Sequence, residues 1–386
     1  MHTQLINFIR QTFQTDEFIP LHAPSFIGNE KSYVEQTITS TFVSSVGEYV
    51  DKFELQIAQY TKASSAIATV NGTAALHTAL YMAGLRKGDL VITQALTFVA
   101  TCNVIHFAGA EPVFVDISPV SLSLCPIALE QYLVDCCYIC DSGVTKDKKT
   151  GQVVRAIMPM HTFGHPAQLD EIAAIAKTWS IALVEDAAES LGSLYKEKHT
   201  GTLGDFGAIS FNGNKIITSG GGGMVLCATK EQGEKTKHIT TTAKVPHPYE
   251  YVHDQAAFNY RMPNLNAALG CAQLESLPLF LTQKRSLAAH YQDFFANSDF
   301  VFVTEPEYAQ SNYWLNAIVC PDKKSRQRLL EQTNKNGVMT RPVWQLMHQL
   351  PMYQYCKKGA LSYSELIADT LINLPSSAIS LECSNG

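Results

Sequence analysis

The sequence predicts an α/β protein with a mostly parallel central sheet and a second, smaller domain. Short apolar runs rich in β-branched residues alternate with stretches whose apolar residues recur at helical spacing. Such alternation is typical of a parallel sheet covered by helices on both faces. The 386 residues are 46% hydrophobic and 17% charged, which excludes a disordered, collagen-like or coiled-coil protein.

The elements follow in order along the chain. The predicted strands are residues 65–70, 90–93, 112–116, 156–160, 182–186, 208–211 and 223–227, and the predicted helices between them are 73–83, 98–108 and 169–179. Farther on we expect helices at 266–280, 282–296 and 324–334, and strands at 313–319 and 338–341. This change of pattern divides the chain into a large α/β domain, residues 1–260 with an N-terminal arm to about residue 30, and a small α+β domain, residues 261–386.

Charge and cysteine content exclude several classes of protein. Lys and Arg number 29 against 35 Asp and Glu, and no basic cluster suits a nucleic acid. No apolar run is long enough to span a membrane, and residues 1–14 lack a signal-peptide pattern. Cys136, Cys137 and Cys140 lack the partners of a zinc site, so we expect no metal. These features predict a cytoplasmic protein that binds neither nucleic acid nor membrane.

Polar and aromatic residues follow the predicted strands, where parallel sheets bind their ligands. Gly72 and Thr73 follow the first strand and begin a helix, a position that suits an anion. An Asn-Gly turn with a Thr cap is the alternative interpretation. Phe98 follows the second strand, where its ring could stack on a flat ligand or pack in the core.

Two charged residues complete this set. Asp186 ends a buried strand and needs a partner that offsets its lost solvation, such as a protonated ring nitrogen; a helix cap is the alternative. Lys215 lies among apolar residues and before four glycines, and poor hydration favours its free, nucleophilic amine. A surface lysine before a flexible hairpin is the alternative.

An anion cradle, an aromatic ring, a carboxylate and a lysine, in this order, are the parts that hold pyridoxal 5'-phosphate (PLP). This cofactor binds through a lysine Schiff base and needs a carboxylate at its pyridine nitrogen. A nicotinamide oxidoreductase is less well supported because no Gly-x-Gly-x-x-Gly turn follows the first strands. The sequence therefore predicts a PLP enzyme.

Seven segments in order resemble the DegT/DnrJ/EryC1/StrS family of PLP-dependent sugar aminotransferases: NGTAALHTAL, TFVAT, PVFVDI, HTFGHPAQLDEI, VEDAAESLG, GDFGAISFNGNKIITSGGGG and NYRMPNLNAALG. The resemblance extends from Pro24 to Pro375 and implies fold type I of the PLP-dependent transferases, the aspartate aminotransferase-like fold. The string FNGNKIITSGGGGM is similar to a narrower group, the LegC-type enzymes. These aminate C4 of UDP-linked 4-keto-6-deoxy-N-acetylhexosamines on the route to legionaminic acid or bacillosamine-type sugars.

The resemblance also implies a set of site residues. Lys215 forms the Schiff base, Asp186 pairs with the pyridine nitrogen, and Phe98 stacks on the ring. The other cofactor-binding residues implied are Gly72, Thr73 and Ser210 at the phosphate, Asn259 from the neighbouring subunit of a homodimer, His161 near the cofactor, and Glu189. A buried, hydrogen-bonded histidine is the alternative for His161. Glu189 stands where many members have Gln, and Gly221 where many have Glu, which leaves the substrate contacts open.

The implied reaction moves an amino group from glutamate to the keto sugar of a nucleotide sugar used for surface glycans. Arg261, Lys244 and Arg341 are candidates for the diphosphate by charge alone. Three alternatives stay open: amination at C3, a 3-dehydratase, and a non-catalytic regulatory protein with this fold. The dehydratase is disfavoured because family members of that kind have His in place of Lys215.

Overall fold

The computed structural model describes residues 1–380. The helices are α1 (His2–Phe13), α2 (Glu30–Thr39), α3 (Glu48–Thr61), α4 (Gly72–Met82), α5 (Val99–Phe107), α6 (Pro126–Cys136), α7 (Leu169–Thr178), α8 (Lys230–Thr240), α9 (Asn264–Phe295), α10 (Lys323–Lys335) and α11 (Ser362–Thr370). The strands are β1 (Ser65–Thr69), β2 (Leu90–Gln94), β3 (Glu111–Val115), β4 (Cys137–Ile139), β5 (Thr145–Asp147), β6 (Val154–Ile157), β7 (Ala182–Asp186), β8 (Leu194–Tyr195), β9 (Lys198–His199), β10 (Phe206–Ser210), β11 (Gly223–Cys227), β12 (Lys244–Val245), β13 (Val252–His253), β14 (Val301–Phe302), β15 (Ala309–Gln310), β16 (Asn316–Val319), β17 (Arg341–Pro342) and β18 (Leu371–Leu374).

A seven-stranded sheet forms the centre of the fold, in the order β1-β11-β10-β7-β6-β2-β3. Strand β11 runs antiparallel to its neighbours β1 and β10, and the other neighbouring pairs are parallel. Each of the seven strands predicted in the first part of the sequence lies in this sheet. The predicted α/β class with a mostly parallel sheet is therefore confirmed.

Helices cover both faces of this sheet, which explains why its strands are apolar without alternation. On one face Val91, Val184 and Val225 pack with apolar residues of α4 and α5. On the other face, residues of β1, β10 and β11 pack against α3 and α9, and residues of β2 and β3 pack against α6 and α7. The carboxyl ends of the strands are left free to build a site.

A second, four-stranded sheet lies in the C-terminal part of the chain, in the order β14-β16-β18-β17 with antiparallel pairing. Its strands β16 and β17 are shorter than the predicted strands 313–319 and 338–341. The N-terminal helix α1 packs on this sheet through Leu5 and Ile9, which share a core with Ile318 and Ile372. The division of the chain at residue 260 stays a prediction.

Helix α9 corrects the prediction of two helices at 266–280 and 282–296, because one helix of 32 residues covers both. Pro278 lies inside it, where a proline removes one backbone hydrogen bond. Leu277 and Phe280, on either side, are almost fully buried, so packing keeps the helix continuous across this position. No helix within residues 1–380, α9 included, is both long enough and apolar enough to cross a membrane.

Lys284 on α9 is a fully buried lysine that holds three parts of the fold together. Its Nζ donates hydrogen bonds to the carbonyl oxygens of Trp314, at 3.1 Å, and of Ser376. Burial lowers the pKa of Lys284 to about 7. An unfolded chain restores a pKa of about 10.4, so between these two values the unfolded state binds more protons than the folded state.

We therefore predict that folding stability rises with pH in a Lys284-dependent way. From about pH 7 to about pH 9, the wild type gains on the order of 2 kcal/mol of unfolding free energy relative to Lys284→Met, which has no amine to titrate. Denaturant unfolding of both proteins at the two pH values measures this difference. Lys177→Met, a change at an exposed lysine of α7, is the control. Equal pH dependence of wild type and Lys284→Met would contradict the prediction.

Candidate active site

Two neighbouring parallel strands, β7 and β10, position the predicted site. Their register places Asp186, the last residue of β7, opposite Ala208 of β10. Asp186 and Ser210 therefore lie at the same edge of the sheet, and the chain then turns through Lys215 before it enters β11. A cavity of about 330 Å³ opens at this edge. It is lined by Asn71, Gly72, Thr73, Leu76, Phe98, Ala100, Met160, Asp186, Ala188, Glu189, Ser210, Asn212, Asn214, Lys215, Gly222, Trp314 and Trp344.

The structure brings most of the predicted site residues together. Those that line the cavity are Gly72, Thr73, Phe98, Asp186, Glu189, Ser210 and Lys215. His161 and Asn259 are not among the lining residues. The seven lining residues come from four separate segments of the sequence, 72–73, 98, 186–189 and 210–215, and the sheet makes these segments neighbours.

One end of the cavity has the form of an anion cradle. A Cβ atom added to Gly72 would lie 2.7 Å from the Cβ and 2.9 Å from the Oγ of Ser210, so only glycine leaves this space open. Gly72 begins α4, and the side chain of Asn71 caps the helix by accepting a hydrogen bond from the N–H of Ala74 at 2.8 Å. The cap proposed for Thr73 is thus supplied by Asn71, and the Thr73 side chain lines the cavity.

Asp186, also at the cavity wall, is a buried carboxylate held in place by two hydrogen bonds. Its Oδ2 accepts from the hydroxyl of Thr101 at 2.7 Å, and its Oδ1 accepts from the N–H of Ala188 at 3.2 Å. Burial raises the pKa of Asp186, against the opposing effect of these hydrogen bonds and of Lys215. A buried acid of this kind is suited to a cationic partner. Thr101 was not predicted, because a threonine inside a helix carries no distinctive sequence signal.

The surroundings of Lys215 differ from the apolar ones that the sequence indicated. Its Nζ lies 3.4 Å from Oε1 of Glu189 and 3.9 Å from the centroid of the Trp314 ring. The Lys215 side chain is 11% exposed and that of Glu189 is 2% exposed. Burial raises the pKa of Glu189 to about 7, although Lys215 and the N–H of Phe163, which donates to Oε2 at 3.0 Å, favour the charged form.

Aromatic side chains form part of the cavity wall. Phe98 is 48% exposed, and its ring lies 6.2 Å from that of Trp344 in an edge-on arrangement. Trp314 is the third aromatic side chain that lines the cavity. The two tryptophans were missed from the sequence, although the chain has just three, and their rarity was the signal that could have indicated them. A planar ligand is suited to such a wall.

His161 is buried and both of its ring nitrogens have protein partners. Its Nε2 lies 3.0 Å from Oε2 of Glu185, and its Nδ1 accepts from the N–H of Ala167 at 3.1 Å. Glu185 also accepts hydrogen bonds from three backbone N–H groups, those of Gly201, Leu203 and Gly204. This geometry matches the alternative of a buried, hydrogen-bonded histidine, and a contact of His161 with the cofactor stays a prediction.

The predicted diphosphate ligands lie away from the cavity wall. Arg261 donates from Nε to the Oδ1 of Asn259 at 3.0 Å, and Asn259 is exposed. Arg341 donates to Oδ1 of Asn334 at 3.1 Å, and the Nζ of Lys244 lies 4.8 Å from the ring centroid of Tyr251. Within residues 1–380, the only lysine or arginine at the cavity wall is Lys215.

The residues of the cavity fit PLP. A glycine cradle with two hydroxyls suits a phosphate, a buried carboxylate suits a protonated ring nitrogen, and an amine stands beside aromatic rings. The fold and this site together define a PLP-dependent transferase of fold type I.

The chain belongs to the DegT/DnrJ/EryC1/StrS aminotransferase family, whose profile matches residues 24–381. The cofactor is therefore PLP and the activity is that of a sugar aminotransferase, as the sequence predicted. The chain is 36% identical over 360 residues to the GDP-perosamine synthase of Escherichia coli O157:H7, with 93% of each chain covered. It is 34% identical over 348 residues to the putative pyridoxal phosphate-dependent aminotransferase EpsN of Bacillus subtilis (strain 168), covering 90% of this chain and 85% of EpsN.

A solved structure with the same fold is a DegT DnrJ EryC1 StrS aminotransferase from Brucella abortus. It superposes with a TM-score of 0.82 at 24% sequence identity and covers 92% of this chain and 91% of its own. The narrower LegC-type subgroup expected from the sequence is not confirmed by these relatives.

Proposed function

We propose that this protein aminates a nucleotide-linked 4-keto-6-deoxyhexose at C4, with glutamate as the amino donor. The observation that carries the proposal is the meeting of Lys215, Asp186 and the Gly72 cradle in one cavity. The cavity has an open side, where Phe98 is half exposed, and a sugar nucleotide can enter there.

Each residue has a distinct role in this proposal. When bound, PLP supplies an electron sink that stabilises negative charge at the carbon beside the transferred nitrogen. Lys215 would hold the cofactor through Nζ, and its amine would be placed to take up and return a proton beside the substrate. Asp186 keeps a proton on the ring nitrogen, while Thr101 and Ala188 keep the Asp186 carboxylate in place. Gly72, Thr73 and Ser210 bind the phosphate.

Two nucleotides are supported for the substrate, UDP by a sequence string and GDP by a relative. The sequence predicted a UDP-linked N-acetylhexosamine, from the string FNGNKIITSGGGGM. A relative that is 36% identical over almost the whole chain is named GDP-perosamine synthase, which supports a GDP-linked sugar. We give the GDP-linked 4-keto-6-deoxyhexose precedence, because this likeness extends over 93% of the chain, whereas the string that suggests UDP is 14 residues long.

In this proposal the enzyme works in the cytoplasm and makes an aminosugar that is used for surface glycans. The cytoplasmic location stays a prediction, as does amination at C4 rather than C3. A regulatory protein without catalysis is disfavoured by the presence of Lys215 and of Asp186 at the cavity wall.

Lys215→Ala is predicted to abolish covalent attachment of PLP and to lower turnover by at least ~10²-fold, because the amine is lost. Borohydride reduction followed by peptide mass mapping locates the cofactor, and release of 2-oxoglutarate from glutamate measures turnover. Lys196→Ala, at an exposed ion pair with Asp170, is the matched control and keeps both. Full activity of Lys215→Ala would refute the assigned role, and a wild type that converts no keto sugar nucleotide would support the regulatory alternative.

The nucleotide preference is tested with two substrates given to the same enzyme. With glutamate as donor, kcat/KM for a GDP-linked 4-keto-6-deoxyhexose should exceed that for the UDP-linked N-acetyl analogue by at least ~10-fold, since one mismatched group in a binding site commonly costs this much. Nuclear magnetic resonance of the product shows whether the new amine is at C4. A preference for the UDP-linked sugar would restore the prediction made from the sequence.

A homodimer with shared sites is part of the proposal. Asn259 is exposed and lies outside the cavity wall of its own chain, so it is free to reach a neighbouring subunit. Large apolar side chains are also exposed on α2 and on the segments beside it: Phe26, Ile27, Ile38, Phe42 and Val46. Exposed apolar side chains in such number favour burial against a second copy of the chain.

Subunit mixing tests this arrangement. Each variant alone should be inactive. The carboxylate of Asn259→Glu repels the cofactor phosphate, and Lys215→Ala lacks the amine that binds the cofactor. If Asn259 acts in the neighbouring subunit, a mixed dimer has one intact site, and an equal mixture regains roughly a quarter of wild-type activity. The mass of the particle by light scattering is the accompanying measurement. A monomeric enzyme, or a mixture that regains nothing, would rule out the shared site.

A further inference from the structure

Glu189 and Lys215 form a buried acid–base pair inside the cavity. Oε1 of Glu189 lies 3.4 Å from Nζ of Lys215, and both side chains are nearly excluded from solvent. The other carboxylate oxygen, Oε2, is already engaged by the N–H of Phe163. Oε1 is therefore the oxygen that remains to interact with the amine.

We propose that Glu189 is a positioning residue that shares one proton with Lys215 and so controls when the Lys215 amine is a nucleophile. A lysine ammonium has no lone pair and cannot attack a carbonyl carbon. When the proton moves from Nζ to Oε1, the ammonium becomes a neutral amine and the carboxylate becomes a neutral acid. The total charge of the pair stays at zero, so the transfer creates no unpaired charge in a buried place.

The geometry and the burial of the pair support this exchange. The two atoms, now 3.4 Å apart, need to approach by roughly 0.5 to 0.7 Å to reach the ordinary length of a charge-assisted hydrogen bond, which the flexible lysine stem allows. Burial raises the pKa of Glu189 to about 7, so this acid can hold a proton near neutral pH. The centroid of the Trp314 ring lies 3.9 Å from Nζ, and the ring stabilises the ammonium form of Lys215, so the proton is not held by Glu189 alone.

Four other titratable groups among residues 1–380 lie near the pair, and three of them have hydrogen-bond partners of their own. Asp186 acts on both Lys215 and Glu189, but its oxygens accept from Thr101 and Ala188. His161 acts on Asp186 and is paired with Glu185. His22 is near Lys215 and Lys284, and neither of its ring nitrogens has a hydrogen-bond partner within the described residues; burial, the largest cause, lowers its pKa well below the usual range. Lys284 donates to two carbonyl oxygens.

The test follows the reactivity of Lys215 without using turnover. The inference rests on the proposed role of Lys215 in binding PLP, so the full chain is freed of cofactor and labelled with 1-fluoro-2,4-dinitrobenzene, which reacts with a lysine only when its amine is neutral. Peptide mass mapping gives the labelling rate of Lys215 as a function of pH. In the wild type we expect two steps, because the pair titrates jointly. In Glu189→Gln we expect one step, about one pH unit or more below the upper wild-type step, because the neighbouring negative charge is gone.

Two further variants make the outcome decisive. Glu189→Asp keeps a carboxylate at a greater distance and should give an intermediate profile; this variant decides if Glu189→Gln fails to fold. Asp170→Asn breaks an exposed lysine–carboxylate pair elsewhere and should leave the Lys215 profile unchanged. Identical profiles for wild type, Glu189→Gln and Glu189→Asp would overturn the inference.

A second measurement separates this inference from the proposed function. The rate at which PLP becomes attached to Lys215 is followed over the same pH range in the same proteins. If PLP attaches to Lys215 in the wild type, and if Glu189→Gln changes the pH dependence of the attachment rate, both the proton sharing and the cofactor-binding role of Lys215 are supported. If the labelling profiles differ but no variant attaches PLP to Lys215, proton sharing stands and the role of Lys215 in cofactor binding fails.

Discussion

The site depends on one constraint: the parallel strands β7 and β10 end side by side, and the antiparallel strand β11 begins at the same edge, with Gly223 opposite Ser210. Glycine at the first position of β11 lets this strand begin close to the start of α4. A Cβ on Gly223 would lie 2.4 Å from the carbonyl oxygen of Asn71, at the start of the anion cradle. The close approach of these backbones places the cradle, the acid and the lysine around one cavity.

Within the described residues, three ionisable side chains of Asp, Glu, Lys or Arg line the cavity. Two buried carboxylates, Asp186 and Glu189, face one amine, that of Lys215. Each carboxylate also accepts at least one hydrogen bond from a backbone N–H, which lowers the cost of burying it. The arrangement leaves Asp186 suited to a cationic ring nitrogen and leaves Glu189 as the neighbour of the reacting amine.

Much of the fold could be predicted from local pattern. The strands of the central sheet, the helix at 169–178 and the helix at 323–335 have clear periodicity and match the expected positions closely. The prediction failed at α9, where the break expected at residue 281 is absent and the helix continues through Pro278, between the buried Leu277 and Phe280. Local pattern cannot show how strongly the core holds a helix across a proline.

The candidate site divides in the same way. Gly72, Asp186 and Lys215 each follow a strand, and the rule that parallel strands end at one edge was enough to group them. Trp314 and Trp344 reach the cavity from the C-terminal part of the chain, beyond any local rule. The sequence by itself therefore determined the α/β pattern and the residues at the strand ends, because both depend on neighbours along the chain. Only the tertiary structure decided that Glu189 meets Lys215 while His161 turns to Glu185, because those contacts depend on packing between distant segments.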